Sequence, residues 1–122
     1  MKCSSHKHPL RSTEVSDEAL DRAARLFRAV GDPPRLKLLA LLARGEACVS
    51  ELAGDEQLST VSQRLRILRT ENIVERRREG KHIYYTLADQ HIASLVENAL
   101  AHAGEPARPK NQRAAQVKAA RR

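Results

Sequence analysis

The chain has 122 residues, 41% hydrophobic and 30% charged, with 22 lysines and arginines against 15 aspartates and glutamates for a net charge of +7. That length holds one small domain with tails, and one hydrophobic core rather than two. No apolar run approaches a membrane span, and Met1–Pro9 lacks the apolar stretch of a signal peptide, so the expectation is a cytoplasmic protein with no membrane partner. Cys3 and Cys48 are too few for a disulfide framework and read as free thiols or metal ligands.

Where the charge sits says more than its total. Residues 1–61 are balanced, 62–82 carry +4, 83–105 contain no lysine or arginine and carry −3, and 106–122 carry +6. Residues 1–15 read as a flexible arm, 16–105 as the folded domain, and 106–122 as a disordered basic tail that adds sequence-independent attraction to phosphate.

A first helix is expected over about 17–30, where Leu20, Ala23, Ala24, Phe27 and Val30 recur at helical spacing; Gly31 ends it. Asp32 is a good N-cap and Pro33-Pro34 suit a first turn. The second helix, Arg35 to Ala43, is leucine-rich on most sides and should be the buried centre, with Gly45 its stop. A short helix over 48–53 and a turn over 54–57 precede a fourth helix beginning near Ser59-Thr60, where Thr60 and Gln63 fit a capping box or Ser59 caps instead. Val61, Leu65 and Leu68 mark its buried stripe and Asn72 a left-handed stop. Ile73–Arg78 and His82–Leu87 flank Glu79-Gly80-Lys81 as a β-hairpin with a basic tip. A last helix over 90–103 carries Ile92, Leu95, Val96, Ala99 and Leu100. The fold class is therefore mainly α with a β-hairpin wing, a winged helix-turn-helix.

With the apolar stripe of the fourth helix inward, Ser59, Thr60, Ser62, Gln63, Arg64, Arg66 and Arg69 are left for DNA. Gln and Arg pair bidentately with adenine and guanine, and residues near the helix start reach base edges. Thr60, Ser62, Gln63 and Arg64 are the base readers expected; Arg66 and Arg69 suit phosphates. Arg76, Arg78, Lys81 and His82 on the wing suit phosphate or minor-groove contact.

The last helix carries a second constellation. His91 and His102 lie about 16 Å apart along an α-helix and only about 20° apart in facing, so they share a face but not a metal ion. His102 and Glu105 are i, i+3 neighbours, and Asp89 can join His91 from an N-cap. Two such helices run antiparallel across a twofold axis would give two equivalent sites, each with two imidazoles and two carboxylates. That donor set suits Zn(II), with Co(II) or Ni(II) as rivals. A catalytic zinc needs an open position and this set fills four, so an enzyme is not expected. Cys48 and Glu51, with Cys3, His6 and His8 of the arm folded over them, form a softer candidate site for Zn(II) or Cd(II). A buried structural cysteine beside a disordered arm is the other reading of the same residues.

Residues 26–105 resemble the ArsR/SmtB metalloregulators, winged-helix repressors of bacteria. The resemblance is carried by Val30-Gly-Asp-Pro-Pro-Arg-Leu-Lys-Leu-Leu39, Cys48-Val-Ser-Glu-Leu52, Ser59-Thr-Val-Ser-Gln-Arg-Leu-Arg66 and Gly80-Lys-His-Ile-Tyr-Tyr-Thr-Leu87. It implies a homodimer paired through its N- and C-terminal helices that binds operator DNA when metal-free. It also implies release by Zn(II), derepressing genes for metal efflux or sequestration. The Asp-x-His-(x10)-His-x-x-Glu pattern of the zinc-sensing branch falls on Asp89, His91, His102 and Glu105. The cysteine pair of arsenic sensors is absent, since Val49 and Ser50 follow Cys48, and the turn before the fourth helix is shorter than the commonest pattern. The alternative reading is a winged-helix regulator that senses thiol oxidation or another ligand through Cys48 and Cys3.

Overall fold

The computed structural model describes residues 14–107. Helix α1 (Asp17–Val30) starts where Ser16 Oγ accepts the Ala19 N–H at 3.1 Å. It ends at Gly31, where an added Cβ would lie 2.9 Å from the Phe27 carbonyl oxygen. Arg35 then reaches back. Its Nε donates to the Ala29 carbonyl at 2.7 Å and Nη2 to that of Arg28 at 3.4 Å, satisfying acceptors a helix end leaves open. The Asp32 carboxylate accepts the Arg35 N–H at 3.1 Å and opens α2 (Pro33–Leu42), so the two prolines belong to the first turn of the helix, which begins before Arg35.

The short strand β1 (Ala47–Cys48) leads into α3 (Val49–Ala53). Helix α4 (Leu58–Thr70) starts earlier than the Ser59-Thr60 expectation. Its N-cap is Gln57, without a side-chain capping bond, so neither Ser59 nor Thr60 caps it; the Thr60 and Val61 N–H groups donate to the Gln57 carbonyl instead. Asn72 stops the helix at φ 60°, as its side chain tolerates. The Ile73 N–H returns to the Leu68 carbonyl and the Asn72 N–H to that of Arg69, the paired bonds of a Schellman closure.

Strands β2 (Val74–Glu79) and β3 (His82–Leu87) form the wing, closed by a two-residue turn in which Gly80 supplies the positive φ of 63°. The sheet has three antiparallel strands in the order β1-β3-β2, with Ala47 opposite Tyr85 and Cys48 opposite Tyr84. The hairpin expected from sequence is thus one strand short, because a two-residue strand has no periodicity to read. Helix α5 (Gln90–Ala103) is capped by Asp89, whose Oδ1 accepts the Ile92 N–H at 3.0 Å.

The core is built on α2 and α4. Leu39, Val61, Leu65, Leu68 and Ile73 are fully buried, with Leu38, Leu42, Leu52, Val74 and Val96 around them. Each such burial contributes roughly 1.5–3 kcal/mol, so α2 and α4, each with three buried leucine or valine side chains, are firmly anchored. Of the apolar stripe read on α1, only Val30 packs against this core. Leu20 is 54% exposed and Phe27 57%, while α1 packs inward through Leu26, Ala29 and Val30. Helix α5 divides the same way along its length, with Ile92 and Val96 buried and Leu100 exposed. No helix among the described residues is long and apolar enough to cross a membrane.

Candidate nucleic-acid interface and metal half-sites

The inward turn of Val61, Leu65 and Leu68 decides what α4 shows. Ser59, Thr60, Ser62, Gln63 and Arg66 are exposed, and Arg69 is half-buried. Arg64 is placed differently from its neighbours. Its Nη1 donates to Glu56 Oε1 at 2.7 Å, bracing the turn between α3 and α4, and its side chain is 22% exposed. Leu58, the first residue of the helix, is 55% exposed beside Ser59 and Thr60. Sequence reasoning passed over it because it took the helix to begin after it.

The wing sorts its basic residues by the two-residue period of a strand. Arg76 stands opposite Tyr85 and Arg78 opposite Ile83, on the face turned toward α4. Arg77 stands opposite Tyr84 on the other face. There its guanidinium forks onto both carboxylate oxygens of Glu46, approaches Glu79 at 3.3 Å, and lies 4.9 Å from the centre of the Tyr84 ring. These carboxylates raise its pKa further above the ordinary arginine value. His82 lies on that face too, its ring 6.1 Å from that of Tyr84. Lys81 occupies the turn. The wing arginines therefore divide into two on the face turned toward α4 and one paired behind the sheet.

On α5 two pairs form. His91 Nδ1 lies 3.8 Å from Asp89 Oδ1, and His102 Nδ1 lies 3.7 Å from Glu105 Oε1. Both imidazoles are open to solvent, 97% and 87% exposed. Glu105 lies past the last helical residue, but the turn continues. The Gly104 N–H donates to Leu100 and the Glu105 N–H to His102, keeping its carboxylate beside the imidazole. The pairs sit at opposite ends of the helix, and among the described residues no three His, Cys, Asp or Glu side chains converge on one point. The donor types, imidazole nitrogen and carboxylate oxygen, fit a borderline divalent ion such as Zn(II).

Cys48 and Glu51 also meet. The Glu51 carboxylate accepts the Cys48 N–H at 2.9 Å, closing the start of α3, and Cys48 Sγ lies 3.2 Å from Ser50 Oγ. Hydrogen bonding from Cys48, first its backbone N–H and then its side chain, holds the Glu51 carboxyl below the ordinary carboxylate range. Cys48 is a free, half-buried thiol. Cys3, His6 and His8 lie outside the described residues, as does the tail beyond residue 107.

A short helix, a tight turn, an anchored helix with a polar outer face and a cationic hairpin define a winged helix-turn-helix DNA-binding regulator. Comparison with known proteins narrows the class. Residues 32–76 match the family described as "Bacterial regulatory protein, arsR family". The chain is 40% identical over 105 residues to a transcriptional repressor SmtB homolog of Synechocystis sp., covering 82% of this chain and 80% of the relative. It is 39% identical over 87 residues to a cadmium resistance transcriptional regulatory protein CadC homolog of Staphylococcus aureus, covering 69% of this chain and 72% of the relative. Among solved structures, it resembles the homodimeric winged helix-turn-helix domain of a possible ArsR-family regulator from Mycobacterium bovis. That match has a TM-score of 0.68 and 36% identity, and covers 74% of this chain and 88% of the other. The chain belongs to the ArsR family of transcriptional regulators.

Proposed function

We propose that this protein is a metal-responsive transcriptional repressor whose metal-free homodimer binds operator DNA and whose metal-bound form releases it. The observation that carries the reading is the pair of exposed half-sites on α5, Asp89 with His91 and His102 with Glu105. Each brings one imidazole and one carboxylate, half of a tetrahedral set, and a second copy running antiparallel would complete both. The exposed Leu20 and Phe27 on α1 and Leu100 on α5 support pairing through those helices, since a lone chain would leave them in water. A relative named as a metal-resistance regulator and a homodimeric structural neighbour support the same reading.

Zn(II) is the effector we assign, with Co(II) and Ni(II) as competitors for a nitrogen and oxygen donor set. Bound metal would clamp the two α5 helices and draw the recognition helices away from successive major grooves, about 34 Å apart. Linkage then requires DNA to weaken metal binding by the same factor. The proposed targets are metal efflux or sequestration genes, in a cytoplasm that keeps Cys48 reduced.

The test is operator binding followed by fluorescence anisotropy while Zn(II), Co(II) or Ni(II) is titrated. Zinc is expected to release DNA from the wild-type protein. His91→Ala is expected to bind DNA normally and ignore zinc. A His91→Ala protein that still releases DNA on adding zinc would overturn the α5 assignment.

A further inference from the structure

The arginines of the described residues fall into two populations. Arg25, Arg35, Arg64 and Arg77 each lie against a carboxylate: Glu71, Asp32, Glu56 and Glu46. The other arginines have no such partner among the described residues, and of these Arg66, Arg69 and Arg76 stand together. All three line one cleft of about 420 Å³ between α4 and the sheet. Ser62 joins them one turn before Arg66, so that Ser62, Arg66 and Arg69 follow i, i+4, i+7 along one face of α4. Arg76 enters from β2, and Ile83 and Tyr85 of β3 supply apolar wall.

Guanidinium groups do not deprotonate in proteins, so the three charges cannot be relieved by titration. Placed around one cleft they repel, and low-dielectric walls concentrate their field on the space between them. An anion removes that cost. The guanidinium fork matches phosphate oxygens, and a serine hydroxyl adds a neutral donor. The apolar wall adds a second selection: it suits the sugar flanking a phosphodiester better than a fully hydrated free ion. The cleft also spans two elements, since three of its donors ride on α4 and the fourth on the wing.

We propose that this cleft seats one backbone phosphate of the bound duplex, shared by Arg66, Arg69 and Arg76 with Ser62, and so locks the wing against the recognition helix on DNA. This rests on the reading of the α4–wing face as the DNA surface. The phosphate acts as a bridge between two elements that meet across an open cleft in the free protein.

The test uses the full chain and a duplex selected from a random pool by the wild-type protein. Affinity is measured by anisotropy across a salt series for Arg66→Gln, Arg69→Gln, Arg76→Gln and the triple variant, with unfolding midpoints confirming that each is folded. Each variant is present in both half-sites of the dimer, so one neutralised phosphate per half-site contributes about 1.8 to the slope of log affinity against log salt, and three per half-site contribute about 5.4. A shared phosphate predicts that the triple variant loses about 1.8 and each single variant clearly less. Methylphosphonate substitution along the duplex should then find one position per half-site that weakens the wild type and leaves the triple variant unaffected. Single variants that each lose the full increment, with a threefold loss in the triple, would assign three separate phosphates and overturn the proposal. Unchanged slopes would overturn it too. Displacement by inorganic phosphate at constant ionic strength, with a flat methylphosphonate scan, would make the cleft a free-anion site instead. A wild-type protein for which no duplex can be selected would overturn the DNA reading itself, a failure distinct from all of these.

Discussion

The α4–wing face and the α5 face are both polar and exposed, yet they are unfinished in different ways. The first is cationic, mounted on a helix anchored by Val61, Leu65 and Leu68, and holds three arginines without carboxylate partners beside one cleft. The second has no lysine or arginine from Ile83 to Glu105 and carries two imidazole–carboxylate pairs at either end of a helix whose last turns are exposed. On the proposed reading, the first is completed by a polyanion of fixed spacing and the second by a cation together with another copy of the same helix. Rigid anchoring suits a surface that must match a regular lattice of phosphates, and partial exposure suits one whose partner arrives from outside the chain.

Truncating the hub should remove the distinction altogether. Leu65 is fully buried on the inner face of α4, and Leu65→Ala is expected to cost about 2–5 kcal/mol. Denaturant unfolding should register that loss, with DNA binding and metal response failing together. A variant that kept full stability would mean that α4 is less anchored than its burial implies.

Asp89 sharpens the comparison, because it serves the fold and the metal half-site at once. Asp89→Ala should lose about 1 kcal/mol from the uncapped Ile92 N–H together with metal affinity. Asparagine caps as well as aspartate, so Asp89→Asn should keep the thermal midpoint and lose only metal affinity. Equal midpoints for the alanine and asparagine variants would show that the cap contributes nothing.

Arg77 tests whether a wing arginine behind the sheet differs from those in front. Glu46→Gln removes an exposed ion pair and should leave the unfolding midpoint nearly unchanged, because solvent screens both partners. The salt slope of DNA binding in Arg77→Met should stay at the wild-type value. A slope reduced as much as in the cleft variants would place Arg77 on phosphate and erase the division.

The smallest effect expected is at Glu51. Its pKa is lowered in the folded state by the hydrogen bonding from Cys48, so its contribution is present above the ordinary carboxylate pKa. That contribution disappears as pH falls through the lowered folded value. Glu51→Gln should therefore lower the midpoint slightly at neutral pH and flatten the acid limb, the two curves converging at low pH. An acid limb identical to the wild type would mean that the bond does not hold in solution.

Most of the element order was legible because its signals are local. Asp32, Asn72 and Gly80 each act within a few residues of backbone, and the buried stripe of α4 is a matter of period. The start of α4 was misread because its cap is a main-chain arrangement at Gln57, and no side chain advertises it. β1 escaped because its two residues are held by β3, far along the chain. The spacing of Asp89, His91, His102 and Glu105 already forbade closure of a metal site within one helix. The structure adds that each pair lies within 4 Å and that the turn after Ala103 keeps Glu105 beside His102.

The sequence by itself determined which residues could carry charge, ligate a metal or cap a helix, because side-chain chemistry and short-range periodicity are properties of the chain alone. Only the tertiary structure decided which of those charges are neutralised. Arg64 looked as available as Arg66 until folding brought Glu56 beside it. It likewise decided that Leu20 and Phe27 of the α1 stripe face away from the core. The physical reason is the same in each case. Coulomb pairing and burial depend on distances between residues far apart in sequence, and those distances exist only once α2 and α4 have packed.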